Sequence, residues 1–194
     1  MEELTASDFK IVEEPKRPLA MHPRKFAMWL FIGSVLMLFA ALTSAYIVRQ
    51  AEGNWVFFEL PSLFYSTTIV ILLSSVTMQW AYVALKKQSH QQVVLMLALT
   101  VLLGTAFLVG QWVGWQQLVD QRVYFVGNPS GSFLYVLTGL HAVHIVSSLV
   151  FAAITWVRAS RHKLALASLE MCATYWHFLG GLWLYLFVFL ILNR

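Results

Sequence analysis

FAMWLFIGSVLMLFAALTSAYIV, residues 26–48, runs for 23 positions without an aspartate, glutamate, lysine or arginine. At about 1.5 Å per residue, a helix of that length crosses a hydrocarbon core about 30 Å thick. The period-2 alternation of a barrel strand is missing from it. In lipid only a helix or a closed barrel satisfies every backbone N–H and C=O. The stretch is therefore predicted to be a transmembrane helix. Four further uncharged runs follow, at 60–85, 88–119, 123–157 and 171–193. The third and fourth exceed one crossing. Polar flanks (His90 with its glutamines, and Gly127-Asn128-Pro129-Ser130-Gly131) trim them, giving crossings at about 26–48, 61–85, 93–118, 132–157 and 171–192. The expected fold is all-α: a polytopic bundle of five transmembrane helices at 26–194, preceded by a polar segment at 1–25.

Composition agrees. Of 194 residues, 59% are apolar, 15% aromatic and 11% charged, where a soluble domain has about 45–50% apolar and about 25% charged. Ten of the 22 charged side chains fall in the first 25 residues. What remains is too few to clothe a soluble surface, which excludes a soluble enzyme, a disordered chain and a nucleic-acid-binding module. A single cysteine, Cys172, excludes an internal disulfide framework and a CxxC site and reads as a small buried residue. The polar, acidic start is unlike a cleavable signal or a mitochondrial transit peptide.

Lysines and arginines set the expected orientation. Ten lie in the first segment, the second loop and the fourth loop; Arg49, Arg122 and Arg194 lie on the other side. The N-terminus is predicted to be cytoplasmic and the C-terminus external. Trp55, Trp115, Tyr124 and Phe125 then fall near the external boundary as an interfacial aromatic belt. No loop is long enough for a soluble domain, so chemistry belongs within the membrane or on a partner.

An ionisable group at membrane depth costs at least about 2.5–3.5 kcal/mol when charged, so each invites a purpose. His141 and His144 stand three apart on the fourth helix, Ser147 and Ser148 extend their face, and Arg158 ends it four turns below His144. Glu170 opens the fifth helix and His177 follows two turns on, with Thr174 and Gly181 on one stripe. Three intramembrane histidines admit a metal or haem site, or hydrogen bonding between packed helices at about 1 kcal/mol or less each. Helical rise separates His141 and His177 by ~11 Å in depth and His144 and His177 by ~6 Å. No carboxylate or thiolate stands beside them to complete a shell, which favours packing. Glu170 reads as a carboxylate serving the N–H groups of a helix start. Gly110-xxx-Gly114 permits a close helix approach.

Two local patterns are more specific. The fourth span carries Gly131-Ser132, then Thr138-Gly139-Leu140-His141-Ala142-Val143-His144; the fifth carries Glu170, then Tyr175-Trp176-His177-Phe178, then Trp183-Leu184. With Leu30-Phe31-Ile32 and Ser34, Leu60-Pro61, Trp80-Ala81, Leu103-Gly104, Phe107 and Gln111, the chain resembles subunit III of the haem–copper respiratory oxidases in its short five-helix bacterial form. Three carboxylate positions of that family are Val35, Gly114 and Gly180 here, so roles resting on those carboxylates are not carried over.

The resemblance implies a non-catalytic accessory subunit of a proton-pumping terminal oxidase (a cytochrome c oxidase) in the bacterial cytoplasmic membrane. Haem and copper would then sit on partner subunits and none in this chain. It implies packing against catalytic subunit I, with subunit II in the same complex and a larger respiratory supercomplex around it. It also implies bound phospholipid and support of proton uptake. Arg158 matches a basic position associated with a lipid phosphate, and His141, His144, Glu170, His177 and Trp176 match family polar or structural positions. A quinol oxidase subunit is the alternative within the family. A bis-histidine haem or metal protein using His144 and His177 is the alternative from another class. A transporter is disfavoured, because no internal repeat or pair of broken helices is evident.

Overall fold

Each long uncharged run becomes a helix, and its boundary residues explain its ends. A computed structural model, described for residues 23–193, contains α1 (Pro23–Ala51), α2 (Leu63–Lys86), α3 (His90–Asp120), α4 (Pro129–Ser160) and α5 (Leu166–Leu192). All five are long and apolar enough to cross a membrane. Most of the polar segment expected at 1–25 lies outside the described residues.

The helices mostly extend beyond the predicted crossings, because hydropathy marks lipid whereas capping marks where hydrogen bonding begins; α2 instead starts at Leu63, two residues inside its predicted start, and α5 ends at 192 as predicted. Asn128 is extended and its side chain accepts from the Ser130 N–H at 2.9 Å, while Pro129 takes the first turn, where a missing N–H removes no bond. The Pro129-Ser130-Gly131 stretch is thus the first turn of α4. Three helices end alike. Gln88, Arg122 and His162 adopt left-handed φ values of 57°, 63° and 55°. Beyond α3, Arg122 N bonds to Val119 O and Val123 N to Leu118 O, the two-bond Schellman closure that usually employs glycine.

Four helices form a ring in the order α3, α2, α5, α4, with α2 and α3 in the most extensive contact and α1 outside, touching only α4 and α5. Glycines set the closest seams. A Cβ at Gly110 would overlap the Thr67 methyl, one at Gly114 would meet the Phe64 ring at 2.8 Å, and one at Gly104 the Trp176 ring at 2.6 Å. The Gly110-xxx-Gly114 signal therefore marks the α2–α3 seam. Ring side chains fill the centre, with Phe107, Trp176, Trp183, Leu97 and Leu137 fully buried. Phe26, Trp29, Leu30 and Met37 of α1 point outward.

The thirteen described Asp, Glu, Lys and Arg residues all lie near helix ends or in loops. The end formed by the α2–α3 and α4–α5 loops has seven cations and Glu170; the opposite end has Arg49, Arg122, Glu52, Glu59 and Asp120. At the basic end, Lys25 Nζ meets Glu170 Oε2 at 2.9 Å and ties α1 to α5. This corrects the reading of Glu170 as a helix-start carboxylate. α5 begins at Leu166 with Ala165 as its uncharged cap, so Glu170 is a turn inside and its carboxylate binds a lysine instead.

Candidate functional site

Polar side chains within the bundle meet across helix seams. Trp176 is buried on α5 and its Nε1 donates to Ser74 Oγ of α2 at 3.0 Å; Trp183 Nε1 donates to Thr68 Oγ1 of α2 at 2.9 Å. The indoles are seven residues apart and their acceptors six, which suits two antiparallel helices. On the other seams, Gln111 Nε2 donates to Thr67 Oγ1 at 3.1 Å and Trp115 Nε1 to Thr138 Oγ1 at 3.1 Å. Sequence reading picked out Trp176 and quoted Thr138 within the fourth-helix pattern, but missed Ser74, Thr68 and Thr67. The signal was available: hydroxyls on α2 at the pitch of the α5 tryptophans.

The two α4 histidines face different neighbours. His141 is fully buried, with its ring against Phe39, Phe107 and Trp183 at centroid distances of 6.4, 6.1 and 5.2 Å. Neither of its ring nitrogens has a hydrogen-bond partner among the described residues, and aromatic faces offer only weak acceptors. His144 sits at the α1 seam, between Phe31 and Phe39, and its Nδ1 lies 2.7 Å from its own helix's Leu140 carbonyl. Ser147 Oγ lies 2.8 Å from the Tyr175 hydroxyl of α5, whereas Ser148 turns inward with His141 and is buried. The single face expected from spacing is thus split between two seams, as the ~60° angle between positions three apart allows.

His177 belongs to a third seam. Its Nε2 lies 3.2 Å from Gln79 Oε1 of α2. The bis-histidine pair considered from spacing is not brought together: His144 faces α1, His177 faces α2, and no hydrogen bond or ring contact joins them. Among the described residues, no three His, Cys, Asp or Glu side chains form a metal-holding group. Cys172 is buried and free.

Two grooves meet at His177. One, of about 660 Å³, runs between α1 and α5 past Leu36, Phe39, Gly181 and Tyr185. The other, of about 750 Å³, follows α2 past Leu72, Ser75, Gln79 and Trp80 and reaches Lys87 at the basic end. Both are mainly apolar, with a few polar groups near His177. Arg158 is exposed in the last turn of α4 and lines neither. The arrangement offers helix-to-helix contacts and two mainly apolar surface grooves.

A protein-family model described as Cytochrome c oxidase subunit III matches residues 16–193. Among curated relatives, Cytochrome c oxidase subunit 3 of Bacillus sp. (strain PS3) is 27% identical, with 96% of this chain and 93% of that protein aligned. Cytochrome c oxidase subunit 3 of Corynebacterium diphtheriae is 31% identical over 81% of this chain and 82% of its own length. Probable cytochrome c oxidase subunit 3 of Rickettsia conorii is 31% identical, with 82% of this chain aligned to 58% of that protein.

Proposed function

Because the chain belongs to the cytochrome c oxidase subunit III family, we propose that it serves as the non-catalytic accessory subunit of a proton-pumping haem–copper terminal oxidase. In this reading it packs beside catalytic subunit I, with subunit II in the same complex, and haem and copper belong to those partners. The observation that carries the reading is the extent of the family match, residues 16–193, which takes in all five helices. The use of indoles, hydroxyls and Gln111 for helix-to-helix contacts supports a packing role.

The membrane is the bacterial cytoplasmic membrane, with the basic end inside, as the lysine and arginine bias favours. The grooves meeting at His177 hold acyl chains, Lys87 lies where an anionic head group would sit, and Arg158 holds a second lipid phosphate at the same boundary. Through this lipid and its contact with subunit I, the subunit sustains proton uptake and turnover stability. Cytochrome c is the electron donor, as the names of the relatives suggest; steady-state turnover with cytochrome c and with a quinol separates this from a quinol oxidase.

The test is co-purification. A tagged full chain isolated from native membranes is expected to bring down a haem-bearing subunit with the absorption of a haem–copper oxidase. Isolation of the tagged chain in folded form without any haem-bearing partner overturns the proposal.

A further inference from the structure

At the end of α3 opposite the basic loops, Trp112, Trp115, Gln116, Val119 and Asp120 surround a pocket of about 480 Å³ on the outer surface of the bundle. Trp115 is fixed there by its bond to Thr138 and by packing against Tyr135 at 6.3 Å. Trp112 is 62% exposed and meets Trp115 at 6.2 Å in an edge-to-face arrangement. Asp120 is the last residue of α3, and that last turn has no basic side chain. Its carboxylate has no hydrogen-bond or ion-pair partner among the described residues.

A carboxylate at a helix C-terminus stands against the helix dipole, where a cation is the favoured neighbour. Two features of one pocket therefore converge on a positive charge, the Asp120 carboxylate and the carbonyl end of α3, while the two tryptophan rings lie deeper along the same face. Depth narrows the ligand further. From a midpoint near residue 105, helical rise puts Trp112 at ~10 Å, Trp115 at ~15 Å and Asp120 at ~22 Å, while the hydrocarbon core ends at ~15 Å. The rings line the edge of the acyl region and the carboxylate lies among head groups. A ligand that fits both must be membrane-resident and bear its cation at the head.

We propose that this pocket binds the ammonium head group of a zwitterionic phospholipid. Asp120 and the α3 carbonyl end receive the charge, and the two indoles, nearer the midplane, pack along the start of the acyl chains. The Gln116 amide, which has no hydrogen bond among the described residues, serves the phosphate. The proposal is independent of the oxidase reading, because it stands on α3 and its anchor to α4.

The test uses the full chain reconstituted in vesicles containing equal phosphatidylethanolamine and phosphatidylglycerol with identical acyl chains, followed by gentle extraction and native mass spectrometry. The wild type is expected to retain more phosphatidylethanolamine than Asp120→Asn or Trp112→Leu, both at exposed positions, while phosphatidylglycerol held at the basic end and the unfolding temperature stay unchanged. Equal phosphatidylethanolamine in the wild type and Asp120→Asn, or a loss that falls equally on phosphatidylglycerol, overturns the proposal. So does carbodiimide coupling of Asp120 to a lysine of another subunit in the native complex, because the pocket would then hold a partner's cation.

Discussion

Trp176 and Ser74 face each other across the α2–α5 seam, with the indole N–H 3.0 Å from the hydroxyl oxygen and both side chains buried. The Ser74 hydroxyl in turn donates to the Ile71 carbonyl of its own helix at 2.6 Å. Trp176→Phe removes one hydrogen bond and some ring volume, but leaves Ser74 with a partner. The expected loss is about 1–2 kcal/mol, against about 3–5 kcal/mol for Trp176→Ala, which also opens a cavity. Reversible unfolding in mixed detergent distinguishes them. Equal losses would show that the hydrogen bond and the packing are not separable.

Gly110 is expected to be the least tolerant small residue on α3. An added methyl would collide with Thr67, whose hydroxyl also accepts from Gln111. Gly110→Ala should destabilise by about 1–3 kcal/mol through overpacking. Gly33→Ala is the control: nothing lies within 4 Å of its added methyl, so helix propensity alone predicts a gain of up to about 1 kcal/mol. Melting temperatures of the two variants should move in opposite directions.

Arg122 is left-handed at φ 63° where the α3 termination favours glycine. Arg122→Gly should stabilise by up to about 1 kcal/mol, from relief of the Cβ–carbonyl contact less the added freedom of the unfolded chain. A drop in unfolding temperature would mean that the arginine side chain makes a contribution larger than the strain.

The Lys25–Glu170 pair is partly open to solvent, with side chains 34% and 41% exposed. A double-mutant cycle with Lys25→Met and Glu170→Gln should give a coupling of about 0.2–1 kcal/mol at low salt. That coupling should fall towards zero near 1 M salt, where the Debye length is about 3 Å. A coupling insensitive to salt would point to a buried pair.

Arg158→Ala tests the proposed second phosphate contact. It is expected to lower the anionic phospholipid retained by the purified complex and to shorten its turnover lifetime, with the fold unchanged. Unaltered lipid content by mass spectrometry together with an unaltered lifetime would dismiss that contact.

The five crossings could be read directly from where charge is missing, because lipid penalises every exposed charge along some twenty residues. Helix starts were less legible. α5 begins five residues before its uncharged run because Ala165 and Leu166 meet no barrier to helix formation, and Glu170 finds Lys25 rather than an end. Within the candidate site, periodicity put His141 and His144 on one helix face, which the fold divides between two seams. It did not show that Phe107 and Trp183 surround one while Phe31 packs on the other. That depends on the order of helices around the ring, which no local spacing encodes. Gly110-xxx-Gly114 signalled a seam, and only the fold names Thr67 and Phe64 as what lies across it.

The outlying place of α1 has a consequence for how the molecule is made. A ribosome delivers this helix to the membrane before the other four, yet among the described residues its only helical neighbours are α4 and α5, the last two to emerge. Until residue 192 has been inserted, α1 lacks part of its docking surface, and the Glu170 that anchors Lys25 arrives late as well. The ring can begin at the α2–α3 hairpin, whose helices are consecutive and joined by three residues, the kind of local closure that forms early. Of these five helices, the first to be synthesised can therefore complete its docking only after the last has been inserted.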